Sequence, residues 1–268
     1  MKAFTSEQEL LVAELLAEQV RHLLIVRGHY EEYHWASLYR AAKGAPRGTW
    51  SNLQFRDFIH EGIGVEWKIL GSDAPSAAMG RSVMHPSGTR RIEFDPTESA
   101  DSCKERILTQ WCRAMDEFEA RVRAHGKSPR AEIRWGVLLW GRDLGEFLYF
   151  EEPMIRPRHA DYDARWETRT GRGKQTQSLY IYEKRTGKKR FSVTHPSQGA
   201  KLQPYFDVPV SRSDVHLFSV KSADVYPIWV SEETRAALRE RIGDTDMDGG
   251  LRRLLSQAGD QPTQHGDR

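Results

Sequence analysis

Apolar residues recur at Leu10, Leu11, Leu15, Leu16, Val20, Leu23 and Leu24, the three- and four-residue spacing of a helical face. Ser6, with Glu9 three residues on, makes a capping-box pattern ahead of that run, so a helix is predicted over Ser6–Val26 and ends near Gly28. A second helix is predicted over Tyr30–Ala42, stopped by Gly44 and the turn GAPRGTW. The period then changes. Gly64–Leu70 (GVEWKIL) alternates and is rich in β-branched and aromatic residues, which predicts a strand, with Arg90–Phe94 a second before Pro96. Helical spacing returns at Ile107, Trp111, Met115, Phe118 and Val122, within a helix predicted over Ser99–Ala124. Ile133–Trp140 and Glu146–Phe150 read as strands around a GRDLG turn, the first apolar enough to lie inside a sheet.

After Pro153 the character shifts. Arg156–Gln177 is basic, turn-rich and shows little periodicity. A hairpin follows, SLYIY and RFSVT around EKRTGKK, then apolar runs at His216–Val220 and Val225–Val230 and a short helix over Ser231–Ile242. The expected organisation is a helical scaffold (1–45), an α/β core (46–155), a basic β-rich region (156–242) and a polar tail (243–268). The core is expected to be a mixed central β-sheet flanked by helices.

Composition narrows the class. Of 268 residues 38% are hydrophobic and 29% charged, which suits a soluble globular protein. No apolar stretch is long enough for a bilayer and the start lacks a secretory pattern, so no membrane partner and a cytoplasmic location are expected. Cys103 and Cys112 fall on one predicted helix, about 13 Å apart at 1.5 Å per residue, too far to bridge. That fits a reducing compartment and excludes a cysteine-based zinc site. The net charge is only +2, but Arg156–Arg190 holds eleven Lys and Arg against four Asp and Glu. This +7 segment leaves −5 elsewhere, a distribution suited to a polyanion, because neutralising phosphates releases condensed counterions.

Candidate chemistry lies in HEGIGVEWKIL, His60–Leu70. Two apart on one strand, Glu66 and Lys68 share a face. Glu61 precedes Glu66 by five residues, and Gly62 and Gly64 permit a turn or bulge that brings the two acids together. Two carboxylates and an ammonium suit phosphodiester hydrolysis. The acids offer hard oxygen ligands to Mg²⁺, and the lysine positions water and offsets transition-state charge.

Glu66-Trp67-Lys68 resembles the (D/E)-x-K half of the PD-(D/E)XK nuclease signature, and GVEWK is similar to the corresponding strand in the MutH/MvaI-like branch. The resemblance covers about residues 51–150, with the order helix, acid, E-x-K strand, strand, long helix, apolar strand. It implies a restriction-endonuclease-like core, with Glu61, Glu66 and Lys68 catalytic and Glu61 and Glu66 holding Mg²⁺. Glu61 stands where the family usually has Asp, and Asp57 is the alternative first acid. The implied activity is type II restriction of double-stranded DNA, leaving 5′-phosphate and 3′-hydroxyl ends, with a homodimer plausible and a cognate DNA methyltransferase as companion. The alternatives are a repair nicking endonuclease and a non-catalytic DNA-binding protein.

Arg90, Arg91, Arg165, Arg169, Arg172, Lys174, Lys184 and Arg185 are the candidate DNA contacts, with Trp166, Tyr180 and Tyr182 interleaved among them. At least one of the two tyrosines is expected to face a core. Glu31 and Glu32 read as a solvated helix face. His60 borders the proposed site as a proton acceptor or a packing residue. His85 lies in a segment that runs along DNA or simply turns. Trp111, Trp135 and Trp140 are expected in the core.

Overall fold

The leucine-spaced helix forms, but one residue earlier the sequence offers a better cap. In this computed structural model, which describes residues 2–26, 29–45, 58–85, 91–126, 131–171, 174–194 and 200–220, α1 spans Ser6–Val26. Its capping box is Thr5 with Gln8: the Gln8 N–H donates to Thr5 Oγ1 at 3.2 Å and the Thr5 N–H to Gln8 Oε1 at 3.1 Å. Its buried stripe is Val12, Leu16, Val20 and Leu23, whereas Leu10, Leu11 and Leu24 face outward. Helix α2 (Glu32–Ala42) begins where the Glu31 N–H donates to His34 Nδ1 at 2.8 Å, so Glu31 serves the helix start. The N-terminus is fastened by His216, whose Nε2 accepts from the Ala3 and Phe4 N–H groups at 3.2 Å each.

The chain is mixed α/β, with two sheets. The first contains β1 (Phe58–His60), β2 (Ile63–Ser72), β5 (Glu132–Gly141), β6 (Glu146–Pro153) and β11 (His216–Ser219), in the order β1-β2-β5-β6-β11. β2 and β5 run parallel, in register from Ile63↔Glu132 to Ser72↔Gly141, joined through α3 (Ala100–Gly126); the other pairs are antiparallel. The second contains β3 (Ser82–Met84), β10 (Ala200–Asp207), β9 (Lys189–Thr194), β8 (Lys174–Glu183) and β7 (Tyr162–Gly171), with β4 (Arg91–Ile92) also on β10. The predicted strand at Arg90–Phe94 is thus short, and Arg90 itself lies outside the described residues.

Segment 156–177 corrects an expectation. It contains strand β7 and the start of β8. Tyr162, Ala164 and Trp166 alternate against the core while charged residues occupy the positions between them. Trp166, expected among the cations as a nucleic-acid contact, packs on that core. Tyr180 is buried and Tyr182 half-buried, so one of the two tyrosines does face inward. Val225–Val230, Ser231–Ile242 and the tail lie outside the described residues.

The first sheet has a core on each face, as a sheet with apolar residues at successive positions must. One face packs on α1 and α2 through Val65, Trp67, Leu138, Phe147 and Tyr149. The other packs on α3 and the second sheet through Ile133, Trp135, Val137 and Leu139. Gly136 is glycine because a Cβ there would meet Tyr149 Oη at 2.5 Å and Trp67 Cδ1 at 2.6 Å. No helix among the described residues is long and apolar enough to cross a membrane.

Candidate active site

Strand alternation sends Val65 and Trp67 toward α1 and α2, and the residues between them toward α3. Gly64 sits directly under α3, where a Cβ would meet Val122 Cγ2 at 2.4 Å. Glu66 and Lys68 follow on that face and are buried, with side chains 8% and 7% exposed. Lys68 Nζ donates to Glu66 Oε1 at 2.8 Å and to the Trp67 carbonyl at 2.6 Å. It also stands 5.5 Å from the centre of the Trp135 ring. Trp135 is the cross-strand neighbour of Glu66 and stacks on Trp111 of α3 (5.5 Å, 6°), with Phe206 edge-on at 5.3 Å. The Lys68 ammonium is therefore held between the Glu66 carboxylate and this aromatic stack.

Glu66 Oε2 is buried without a hydrogen-bond partner among the described residues. A carboxylate oxygen in that position is costly unless something positive meets it. It has the hardness and the unused lone pairs of a Mg²⁺ ligand. No cluster of three His, Cys, Asp or Glu suited to a metal occurs among the described residues, however.

The expected partner acid is placed elsewhere. Phe58↔Val65, Ile59↔Gly64 and His60↔Ile63 make β1–β2 a hairpin whose two-residue loop is Glu61-Gly62. Both loop residues have positive φ, +48° and +80°, as the favoured tight hairpin turns require. Glu61 thus occupies the tip with its side chain 82% exposed and His60 at 3.8 Å. Ile63 to Glu66 alone spans about 10 Å at roughly 3.3 Å per residue. The glycines do turn the chain, but Glu61 forms the turn instead of folding back beside Glu66. Asp57 lies outside the described residues.

One acid on the Glu66 face went unnoticed in the sequence. Glu152 is the cross-strand neighbour of Trp135, so Glu66, Trp135 and Glu152 form one row across β2, β5 and β6. Burial pushes its carboxyl up to about 7, with Arg190 opposing the rise and Asp207 adding to it. The signal was present in alternation, since Glu152 shares a strand face with buried Phe150. Because an unfolded Glu titrates near about 4.3, folding takes up a proton between the two values. This contribution to stability is complete below about pH 4 and is lost as pH rises through about 7. Glu152→Gln is therefore expected to gain stability relative to wild type between about pH 5 and pH 8. Urea midpoints across that range measure it; a difference independent of pH would refute the assignment.

The candidate DNA contacts divide into two groups. Arg165 pairs with Glu167 at 3.2 Å and lies 4.1 Å from the Tyr182 ring centre, Lys184 faces Asp163 at 3.4 Å, and Arg185 faces Glu183 at 3.5 Å. Arg190 bridges Glu183 and Asp207, each at 2.9 Å. The sheet thus balances much of its own charge. Arg91, Arg169 and Lys174 are on described strands with undescribed side chains; Arg90 and Arg172 lie outside the described residues. Of the remaining candidates, His85 donates its N–H to the Pro204 carbonyl at 3.2 Å. Trp111 and Trp135 are buried and Trp140 half-buried, while Cys103 and Cys112 are unbridged. No protein-family model, curated protein or solved structure matches the chain.

Proposed function

We propose that the protein is a Mg²⁺-dependent endonuclease that cuts double-stranded DNA at a specific sequence, a restriction enzyme built on Glu66 and Lys68. The observation carrying this reading is the buried Glu66–Lys68 pair, in which one carboxylate oxygen holds the ammonium and the other has no partner among the described residues. An ordinary strand ion pair would be solvated, whereas this one is enclosed by Trp135 and α3. The connection β2–α3–β5, with β2 and β5 parallel, also supports a nuclease-type core. For the second acid we favour Asp57 over Glu61. Glu61 is committed to the turn, which leaves Asp57, outside the described residues, as the alternative.

Glu66 and the second acid would hold Mg²⁺, which would supply charge stabilisation on the phosphoryl oxygens and a more acidic bound water. Glu66 holds Lys68 through one oxygen and would offer the other to the cation. The Lys68 ammonium, fixed by Glu66 and the Trp67 carbonyl, orients the attacking water and offsets negative charge growing on the phosphate. Water oxygen bonds to phosphorus as the bond to the 3′-oxygen breaks, and the leaving oxygen takes up a proton. The products are a 5′-phosphate and a 3′-hydroxyl.

Purified protein incubated with unmodified plasmid in Mg²⁺ is expected to give discrete linear fragments that a ligase rejoins. Nicked circles without fragments would instead favour a repair nickase. A shift of duplex mobility with no cleavage in Mg²⁺ or Mn²⁺ would contradict hydrolysis altogether. The companion DNA methyltransferase and a homodimer belong to the same proposal, since cutting both strands in one encounter calls for two sites.

A further inference from the structure

β7 and β8 pair along their whole lengths, from Tyr162↔Glu183 to Gly171↔Lys174. β9 accompanies β8 only between Ser178↔Thr194 and Tyr182↔Lys189. Four residue pairs, Thr168↔Gln177 to Gly171↔Lys174, therefore continue without a third strand among the described residues. At roughly 3.3 Å per residue that ribbon is about 13 Å long. Its ten residues, TRTGRGKQTQ, include no aliphatic or aromatic side chain beyond the threonine methyls. Its composition gives an apolar core nothing to bury, and β9 is described only as far as Thr194.

Charge divides at the same place. All four acids of Arg156–Arg190 lie before Thr168 or after Gln177, each beside a cation: Asp161 with Arg158, Asp163 with Lys184, Glu167 with Arg165 and Glu183 with Arg185. The ribbon keeps Arg169, Arg172 and Lys174 and has no acid. The +7 segment thus divides into a largely self-balanced sheet and an acid-free, cationic stretch at the end of the β7–β8 pair.

We infer that the paired ends of β7 and β8, residues 168–171 and 174–177, enter the major groove of duplex DNA as a two-stranded ribbon and read base edges there. The major groove, about 12 Å wide and about 8.5 Å deep, admits a two-stranded ribbon. Arginine is suited to guanine O6 and N7, and glutamine, here Gln175 and Gln177, to adenine N6 and N7. Lysine and the remaining arginine charge suit phosphates. The choice of partner rests on the nuclease reading, but the ribbon stands on register and charge.

Binding of a short random-sequence duplex in EDTA, where no metal-dependent cleavage occurs, tests the ribbon separately from catalysis. The full chain is compared with a triple variant, Arg169→Ala, Arg172→Ala and Lys174→Ala, and with a chain in which Asn-Gly replaces residues 168–177. Thermal unfolding of each checks the fold. The triple variant is expected to bind about tenfold or more weaker, with the slope of log affinity against log salt smaller by about 2 to 3. Wild type is expected to protect guanine N7 from dimethyl sulfate, and the shortened hairpin to lose that protection. Unchanged affinity and slope, protection that survives the shortening, or a wild type that binds no duplex would each overturn the ribbon. A wild type that cuts in Mg²⁺ while folded ribbon variants bind and cut as before removes the ribbon and leaves the catalytic reading. Ribbon-dependent binding without cleavage does the reverse.

Discussion

Glu66→Gln and Lys68→Ala are each expected to lower the rate of Mg²⁺-dependent plasmid cleavage by a factor on the order of 10³ or more. The two losses should differ in kind. Glu66→Gln replaces an anionic oxygen by an amide, so it should also raise the Mg²⁺ concentration needed for half-maximal rate. Lys68→Ala leaves the carboxylate in place and should lower the maximal rate without that shift. Both residues are buried, and removing one member of a buried ion pair costs about 3–5 kcal/mol of stability. Loss of activity could then be mistaken for loss of fold. A double variant, Glu66→Gln with Lys68→Met, separates the two, because it leaves no charge stranded. It should be more stable than Lys68→Ala and equally inactive. Recovery of cleavage along with stability would show that the pair is structural.

The second large effect is expected on the opposite face of the same sheet. Arg134 donates from Nη1 to Glu151 Oε2 at 2.9 Å and from Nε to Glu132 Oε1 at 2.8 Å. Burial works against the guanidinium charge, yet these hydrogen bonds hold its pKa above the usual arginine value. Glu151 is completely enclosed, and its other oxygen accepts from Tyr39 Oη at 2.6 Å and Tyr149 Oη at 2.9 Å. Burial, followed by the adjacent Glu151 charge, pushes both phenols well above their ordinary pKa, so they remain donors. Arg134→Met would leave the Glu151 charge in the interior with two hydroxyl donors and only the more distant Lys43 charge to oppose it. The expected cost is about 3–5 kcal/mol, read from urea unfolding. Arg134→Met combined with Glu151→Gln should cost less than Arg134→Met alone, since the amide still accepts from both tyrosines. A single-variant loss below about 1 kcal/mol would contradict the role given to this pair. The network matters to the site because Arg134 adjoins Trp135, the residue flanked across the sheet by Glu66 and Glu152.

Local periodicity carried the three described α-helices and most of the described strands. The buried stripe Ile107–Trp111–Met115–Phe118–Val122 requires a helix whatever surrounds it, and α3 is there. The shared face of Glu66 and Lys68 was equally local, following from a spacing of two on a strand. Which face is enclosed was not local. It depends on α3 and Trp135, some 40 to 70 residues away in the chain. Glu61 shows the opposite difficulty, since its two neighbouring glycines fit a return toward Glu66 as well as a turn. Pairing of His60 with Ile63 decides for the turn. β7 was obscured because Asp163, Arg165 and Glu167 on its outer face conceal the alternation of Tyr162, Ala164 and Trp166. Thr5-x-x-Gln8 and Ser6-x-x-Glu9 satisfy the same capping pattern one residue apart, so only backbone geometry chooses. Glu152 meets Arg190 and Asp207 through the approach of two sheets, which no short window of sequence encodes.

Supercoiled-plasmid cleavage followed in one time course, for wild type in Mg²⁺, wild type in EDTA and folded Lys68→Ala in Mg²⁺, decides whether the Glu66–Lys68 pair hydrolyses DNA. Linear fragments with 5′-phosphate ends are expected in the first reaction and intact plasmid in the other two. An intact plasmid in the first, or cutting by Lys68→Ala at the wild-type rate, would contradict that role.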